Sequence, residues 1–425
     1  MAGERTINPV MVVGGGIAGV HAALGLADQG HYVYLVEKAP ILGGRILHLD
    51  KIYPTDHCSF CLLWPYLLRC KDYPRIEILT QSTVKRVTGS SGDFRVAISR
   101  APLFIREDRC TGCGECAQAC PVEVPNPFYW ETRQRKAIYR PHDHAVPDRF
   151  VIDEKQCNRC GRCREICPFD AIDLDAQAHD VEIDVQAVLL ATGFDQFDPT
   201  PLEEYGYGSH PDIMTSLEFE SWIAEDSSHR GKVKRRSDGR DARVLAVIQC
   251  VGSRDRRFNE YCSGVCCMAA VKLAVWACER APDLRAYIFY TDMRASGRGH
   301  QEYLDKSPSS ERVEYIRSRP GRVAPSPHDS RLEVIFEDTT TRQMKLLRAD
   351  IVVLSEALIP SKNSADILKQ LNSTPDLSGF MRPIPDLGCI HGSGDESIVA
   401  VESIFQASAA VAHIKAPVAA DKSHE

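Results

Sequence analysis

The chain has 425 residues, 44% of them apolar, and a formal net charge of −7. That length predicts two to three domains with real cores, and so mild a charge gives no electrostatic reason to expect a nucleic acid partner. Most of the 17 cysteines sit in tight groups, which is the usage of a reducing cytoplasm and not of a disulfide-stapled secreted protein.

No apolar run reaches the length of about 18 residues that a membrane span needs. The stretch from Val399 to Ala420 comes nearest and is interrupted by Glu402, Gln406, His413 and Lys415. Glu4 and Arg5 lead straight into a strand, so no signal peptide is expected.

In chain order, Val10 to Val13 predicts a strand, Gly14-Gly15-Gly16-Ile17-Ala18-Gly19 a tight turn, and an apolar-periodic stretch to Leu26 a helix. This is G-x-G-x-x-G in the context it requires. Gly14 makes the turn, Gly16 lets backbone approach a pyrophosphate, and Gly19 packs helix on strand, with the helix start at Ile17 and Ala18 facing phosphate charge. A second strand, Tyr32 to Val36, ends at Glu37, placed to accept hydrogen bonds from an adenosine ribose. Lys38 follows it, and Gly43-Gly44-Arg45 comes shortly after.

Asp56-His57-Cys58-Ser59-Phe60-Cys61 contains a C-x-x-C. It fits a redox dithiol, an additional ligand pair, or two free buried thiols. Short strands are predicted over 76–99.

Two cysteine runs follow: Cys110, Cys113, Cys116, Cys120 before Pro121, and Cys157, Cys160, Cys163, Cys167 before Pro168. Each has the C-x2-C-x2-C-x3-C-P spacing of bacterial two-cluster ferredoxins, in which the fourth Cys ligates the other run's cluster. The expected ligand sets are therefore Cys110, Cys113, Cys116 and Cys167 for one 4Fe-4S cluster, and Cys157, Cys160, Cys163 and Cys120 for the second. Gly112, Gly114 and Gly161 permit the tight turns that bring three thiolates to one cubane. Zinc fits less well, since its four ligands usually come as two well-separated pairs.

The spacer over 121–156 carries Pro125, Pro127, Trp130, Pro141 and Pro147, which predicts an ordered loop laid against a parent domain. His142 and His144 within it read as ordinary loop residues. Val188 to Leu190 is then a buried strand running into Ala191-Thr192-Gly193, so the cysteine module is an insertion.

Residues 195–241, with Pro199, Pro201 and a basic run, read as a domain transition. Val244 to Ile248 resembles the opening strand of a pyridine-nucleotide domain, yet Gln249-Cys250-Val251-Gly252-Ser253-Arg254-Asp255 follows it with no glycine fingerprint. Such a strand is poorly suited to holding NAD(P)H. Cys250, Cys262, Cys266 and Cys267 form another group, with a helix expected over about 265–280. Their spacing leaves a third cluster and unpaired buried thiols both open, and Cys278 and Cys389 read as structural.

Glu37 with Gly43-Gly44-Arg45 resembles the extended fingerprint of two-dinucleotide-binding-domain flavoproteins, and Ala191-Thr192-Gly193 resembles their second hallmark. Gly394-Asp395 matches a third, where backbone approaches a flavin; the plainer reading of Asp395 is a helix N-cap. The resemblance implies FAD, bound by Gly14, Gly16, Ile17, Ala18, Gly19, Glu37, Lys38, Gly43, Gly44, Arg45, Ala191, Thr192, Gly193, Gly394 and Asp395.

Taken with the double run, Asp56 to Cys61, Gln249 to Asp255 and Tyr261 to Cys267, nearly the whole sequence resembles the A-type subunit of heterodisulfide reductase. The family fold is α/β, a thioredoxin-reductase-like two-dinucleotide-binding-domain flavoprotein with an inserted two-cluster ferredoxin domain. It implies that Cys250, Cys262, Cys266 and Cys267 carry a third 4Fe-4S cluster near the flavin. The expected organisation is a FAD-binding domain over 1–102, 176–215 and 356–418, the ferredoxin module over 103–175, and a second Rossmann-like domain over 235–355.

The resemblance further implies an oxidoreductase active within a cytoplasmic multi-subunit complex of strict anaerobes, with other iron–sulfur or flavin subunits and ferredoxin as partners. Against the family pattern, the sequence is short of an N-terminal extension and a second C-terminal ferredoxin domain. Flavin-based electron bifurcation or confurcation is the expected function. The alternatives are a plain electron conduit, a self-contained NAD(P)H oxidoreductase, and a scaffold whose clusters only stabilise an assembly. No catalytic side chain is singled out, and the terminal donor and acceptor are not legible.

Overall fold

The strand Pro9–Val13 lies at the centre of a four-stranded sheet, between Ala187–Leu190 and Tyr32–Val36, with Ile76–Leu79 at the edge. All three pairings are parallel. Successive side chains of a strand face opposite ways, so Val10 and Val12 enter one core while Met11 and Val13 enter another. Burial on both faces is why this strand is a continuous apolar run. The helix Ile17–Asp28 covers the first face with Val20, Leu24 and Leu26, beside the helix Ser59–Asp72. The second face is covered by an antiparallel sheet of Ser82–Ser90, Asp93–Arg100 and His179–Val185.

In this computed structural model the described residues are 9–224, 227, 229–306, 311–371, 373–381, 404, 407–412 and 414. Gly394, Asp395, Cys389 and the helix expected after Ser397 lie outside them. Among the described residues no helix is long and apolar enough to cross a membrane.

Arg100 pairs directly with His179 across the antiparallel sheet. Residues 101–178 thus leave and re-enter the parent fold at adjacent positions, which lets a separate module sit there without breaking the parent sheet. Within the module, the helices Glu115–Ala119 and Arg162–Ile166 each begin after a left-handed glycine, Gly114 at φ 86° and Gly161 at φ 81°. Ile105 bridges to Ile172, and Phe104, Ile138, Phe150 and Ile152 pack with Cys116 and Cys163 in one small core.

The second unit is a five-stranded parallel sheet in the order Ile213–Thr215, Ile351–Glu356, Val244–Val251, Arg285–Tyr290, Val313–Arg317. The helices Ser216–Ile223 and Cys266–Arg280 pack on it through Phe219, Ile223, Leu273 and Trp276. The strand Ile213–Thr215 belongs to this sheet, although it falls within the 176–215 segment expected for the FAD-binding domain. A polar, proline-rich surface hides a short buried strand.

Chain and core then return to the first unit. Leu358–Pro360 pairs antiparallel with Phe194–Gln196, and the helix Lys362–Gln370 places Ile367 and Leu368 against Val87 and Phe94. Ala407, Ala410 and Val411 complete the core around the first helix.

Candidate functional site

At the carboxyl end of the first sheet, the turn after Pro9–Val13 is as tight as the glycine pattern demands. Gly14 has φ +109°, and a Cβ there would come within 2.2 Å of the Ala191 carbonyl oxygen; a Cβ on Gly19 would meet the Gly14 carbonyl oxygen at 1.7 Å. Gly16 and Gly193 are open instead, with nothing nearer than the Gly44 Cα at 3.9 Å for the former and nothing within 4 Å for the latter. The first two glycines close the turn, and the last two leave room for a ligand's backbone contacts.

Glu37 is buried, and its carboxylate accepts the Gly15 N–H at 2.6 Å and the Ala39 N–H at 2.7 Å. Burial pushes its pKa up against the pull of these donors. Each oxygen keeps a second lone pair for a ribose hydroxyl.

These residues line a cavity of about 880 Å³ together with Ile17, Ala18, Lys38, Gly43, Gly44, Arg45, Ala191 and Thr192. That is near the upper end of the ~300–1,000 Å³ range of ligand sites, and the room suits a dinucleotide of FAD size. Two walls were not legible in the sequence. Asn126, Pro127, Phe128, Tyr139 and Pro141 reach in from the inserted module, while Phe194 and Leu217 close the side toward the second unit. His48 also lines the cavity, its ring against Phe128 with centroids 4.3 Å apart. Burial and the nearby Arg45 hold its pKa down to about 4.

In the module, Cys110, Cys113, Cys116 and Cys167 line one small cavity with Phe150 and Ile172. The fourth thiol comes from the other run, the cross-over that the spacing requires. Burial and the neighbouring Cys110 push the Cys116 thiol up to about 12. Burial, and then Cys157 and Cys160, likewise push the Cys163 thiol up, and Cys120 and Cys157 both pack on the module core. Backbone donors point at sulfur, Arg159 N–H to Cys157 Sγ at 3.4 Å and Ala171 N–H to Cys167 Sγ at 3.4 Å.

The second unit assembles the remaining group where a nucleotide loop would stand. Cys250 takes a left-handed φ of 60° at an irregularity late in the strand Val244–Val251. A Cβ on Gly252 would meet the Phe197 ring at 2.2 Å, so this turn is packed against protein and has no room for a pyrophosphate. Cys266 and Cys267 open the helix Cys266–Arg280, whose start has no side-chain cap. Cys250, Cys262 and Cys267 all raise the pKa of buried Cys266, after burial itself. Buried thiols such as Cys250, Cys266 and Cys267, which are costly to ionise side by side, are donors that a cationic iron core relieves. Among the described residues no three His, Cys, Asp or Glu side chains converge on one ion-sized point; a cubane presents four separate corners.

A polar chain links the cavity to this group. Arg45 lies 3.5 Å from Asp195 and 3.4 Å from Gln196, and Gln196 donates to Glu356 at 2.5 Å. Glu356, whose other oxygen accepts from Ser216, is pushed up to about 7 by burial, and its carbonyl stands 3.9 Å from Cys266 Sγ. Phe194 of the cavity wall shares one small apolar cluster with Cys266, Val265 and Leu358.

Residues 109–171 match the model of the 4Fe-4S dicluster domain, and 9–48 that of FAD dependent oxidoreductases. Over 403 residues the chain is 45% identical to an A-type iron–sulfur subunit of the CoB–CoM heterodisulfide reductase of Methanopyrus kandleri, covering 94% of this chain and 60% of that one. It is 42% identical over 392 residues to the A-type subunit of the H(2)/formate:CoB-CoM heterodisulfide,ferredoxin reductase of Methanococcus maripaludis, covering 92% and 60%.

Over nearly its whole length the chain is similar to the A-type iron–sulfur subunits of heterodisulfide reductases.

It spans about 60% of the length of these relatives. The fold is that of thioredoxin reductase: the T. acidophilum enzyme aligns at TM-score 0.52 and 14% identity over 96% of this chain and 98% of that one. The Lactococcus lactis enzyme aligns at 0.52 and 13% over 96% and 100%.

Proposed function

We propose that the chain is the FAD and iron–sulfur electron-transfer subunit of an anaerobic, cytoplasmic oxidoreductase complex, and that one flavin site serves two single-electron routes in bifurcation or confurcation. FAD, when bound, exchanges an electron pair with a donor and can part with electrons one at a time. The observation that carries this reading is the double wall of one cavity: Asn126, Phe128 and Pro141 of the cysteine module on one side, and Phe194, in one apolar cluster with Cys266, on the other.

In this reading Gly14, Gly16 and Gly19 seat the pyrophosphate on the helix start, Glu37 holds the ribose, and Gly43, Gly44, Arg45, Ala191, Thr192 and Gly193 border the rest. Gly394 and Asp395 complete the site from the C-terminal segment. Cys110, Cys113, Cys116 and Cys167 hold one 4Fe-4S cluster, Cys157, Cys160, Cys163 and Cys120 a second, and Cys250, Cys262, Cys266 and Cys267 a third. The partners are other redox subunits and ferredoxin, which the Methanococcus maripaludis relative carries in its name. The Phe197 ring packed on Gly252 supports a donor site on another subunit in place of a nucleotide site here.

The test is oxidation of the two-electron donor by the assembled complex with one or both acceptors supplied. Bifurcation requires both acceptors for turnover; full-rate oxidation with either one alone makes the chain a plain conduit.

A further inference from the structure

Cys58 and Cys61 lie outside all three ligand sets, and both are exposed free thiols. The reading of two buried thiols does not hold. Among the described residues no third His, Cys, Asp or Glu joins them in an ion-sized group. What remains is the geometry of the pair. Cys58 is the N-cap of the helix Ser59–Asp72, and its sulfur accepts the Cys61 N–H at 3.3 Å. The neighbouring Cys58 side chain raises the Cys61 pKa. A sulfur at the N-cap of a 14-residue helix that accepts a backbone N–H is the one placed to attack.

The pair is firmly mounted. Cys58 pairs with Lys51 in a short antiparallel ribbon, the Ser59 N–H bonds to the Asp50 carbonyl at 3.1 Å, and the Ser59 hydroxyl donates to the Leu49 carbonyl. Leu49 lines the flavin cavity, so the dithiol stands one ribbon away from that wall and faces solvent. Asp56, just before it, accepts from Tyr303 of the second unit at 2.8 Å. Pro65 supplies no N–H to the Cys61 carbonyl four residues back. Phe60 between the thiols stacks on His144 at 5.0 Å.

We propose that Cys58 and Cys61 form a thiol–disulfide exchange site for small-molecule disulfides, with Cys58 attacking and Cys61 resolving. The Cys58 thiolate attacks one sulfur of R–S–S–R, forming the mixed disulfide and releasing R–S⁻. The Cys61 thiol then attacks the Cys58 sulfur, forming the Cys58–Cys61 disulfide and releasing the second thiol. The dithiol gives up an electron pair and two protons, the substrate disulfide takes both, and a dithiol reductant reverses the step. None of this depends on the flavin or the clusters being loaded.

The test uses the full cofactor-loaded chain under anaerobic conditions with bis(2-hydroxyethyl) disulfide, following released thiol and mapping Cys58 and Cys61 by peptide mass spectrometry. Wild type is expected to release about two thiols per chain and to yield the intramolecular disulfide, while Cys61→Ser releases about one and traps the probe on Cys58. In Cys58→Ser, modification of Cys61 should slow about tenfold or more, since the helix-start thiolate is gone. Flavin and iron content report that each variant is intact. An intact Cys61→Ser chain with no adduct on Cys58, or an intact Cys58→Ser chain that reacts as fast through Cys61, overturns the proposal.

Discussion

Lys272 Nζ stands 2.8 Å from both carboxylate oxygens of Glu220, and each side chain is only 2% exposed. Lys272 also donates to the Lys51 carbonyl at 2.9 Å, and Glu220 accepts the Asp50 N–H at 3.0 Å. One buried pair thus ties the helix that begins with Cys266 and Cys267, the helix Ser216–Ile223, and the ribbon beside the flavin cavity. Lys272→Met should cost about 3–5 kcal/mol by stranding the carboxylate, and adding Glu220→Leu should restore most of it. Anaerobic urea unfolding measures both; a loss under about 1 kcal/mol for the single variant would rank the pair with solvent-screened ones.

Gly19 carries the packing of helix on strand. Its Cβ would stand 1.7 Å from the Gly14 carbonyl oxygen, so Gly19→Ala must push the first helix off the turn. The expected result is loss of bound flavin and about 1–3 kcal/mol of stability, with iron content retained because the module folds from its own core. Purified variant retaining stoichiometric flavin would show that the turn tolerates what the geometry forbids.

His48 sets a pH dependence. Its pKa is held down to about 4 by burial and by Arg45, whereas the unfolded chain titrates near ~6.5. Below that value the unfolded state binds a proton that the folded state refuses. The stability contributed is therefore complete above ~6.5 and is lost as pH falls through about 4, by up to about 3 kcal/mol. His48→Gln should flatten this part of the stability–pH curve of the flavin-free chain; an unchanged slope would assign it to other groups.

Cys250→Ser and Cys262→Ser separate a cluster site from structural thiols. If the group holds a 4Fe-4S cluster, each variant should fall from about twelve iron to about eight per chain, with the EPR signals of the inserted pair unchanged. Iron content unaffected by both changes would return the four cysteines to packing roles.

Much of the architecture is legible because its spacing is set by hard local constraints. Gly14 and Gly19 sit where a Cβ would collide with backbone, and Cys167 joins Cys110, Cys113 and Cys116 around one cavity because a cubane needs a fourth corner. What escapes the sequence depends on packing between distant elements. Ser216 and Glu356 are 140 residues apart, Lys272 bonds to Lys51 across 221, and neither pairing leaves a periodicity to read. Phe128 and Pro141 read as part of a loop laid on the parent domain, and only the fold shows them walling the flavin cavity. His142 and His144, ordinary loop residues by their sequence, place their rings on Phe60. Glu356 is a lone carboxylate in an apolar strand, a signal that a buried, partnered acid is required there.

An anaerobic redox titration of the purified chain, with flavin followed by absorbance and clusters by EPR, tests the central claim most directly. Two single-electron routes from one flavin site predict one FAD and about twelve iron, with the flavin reduced in a single two-electron wave while three clusters titrate separately. Two well-resolved one-electron flavin waves, with only about eight iron, would contradict the account and leave a stepwise conduit without a third cluster.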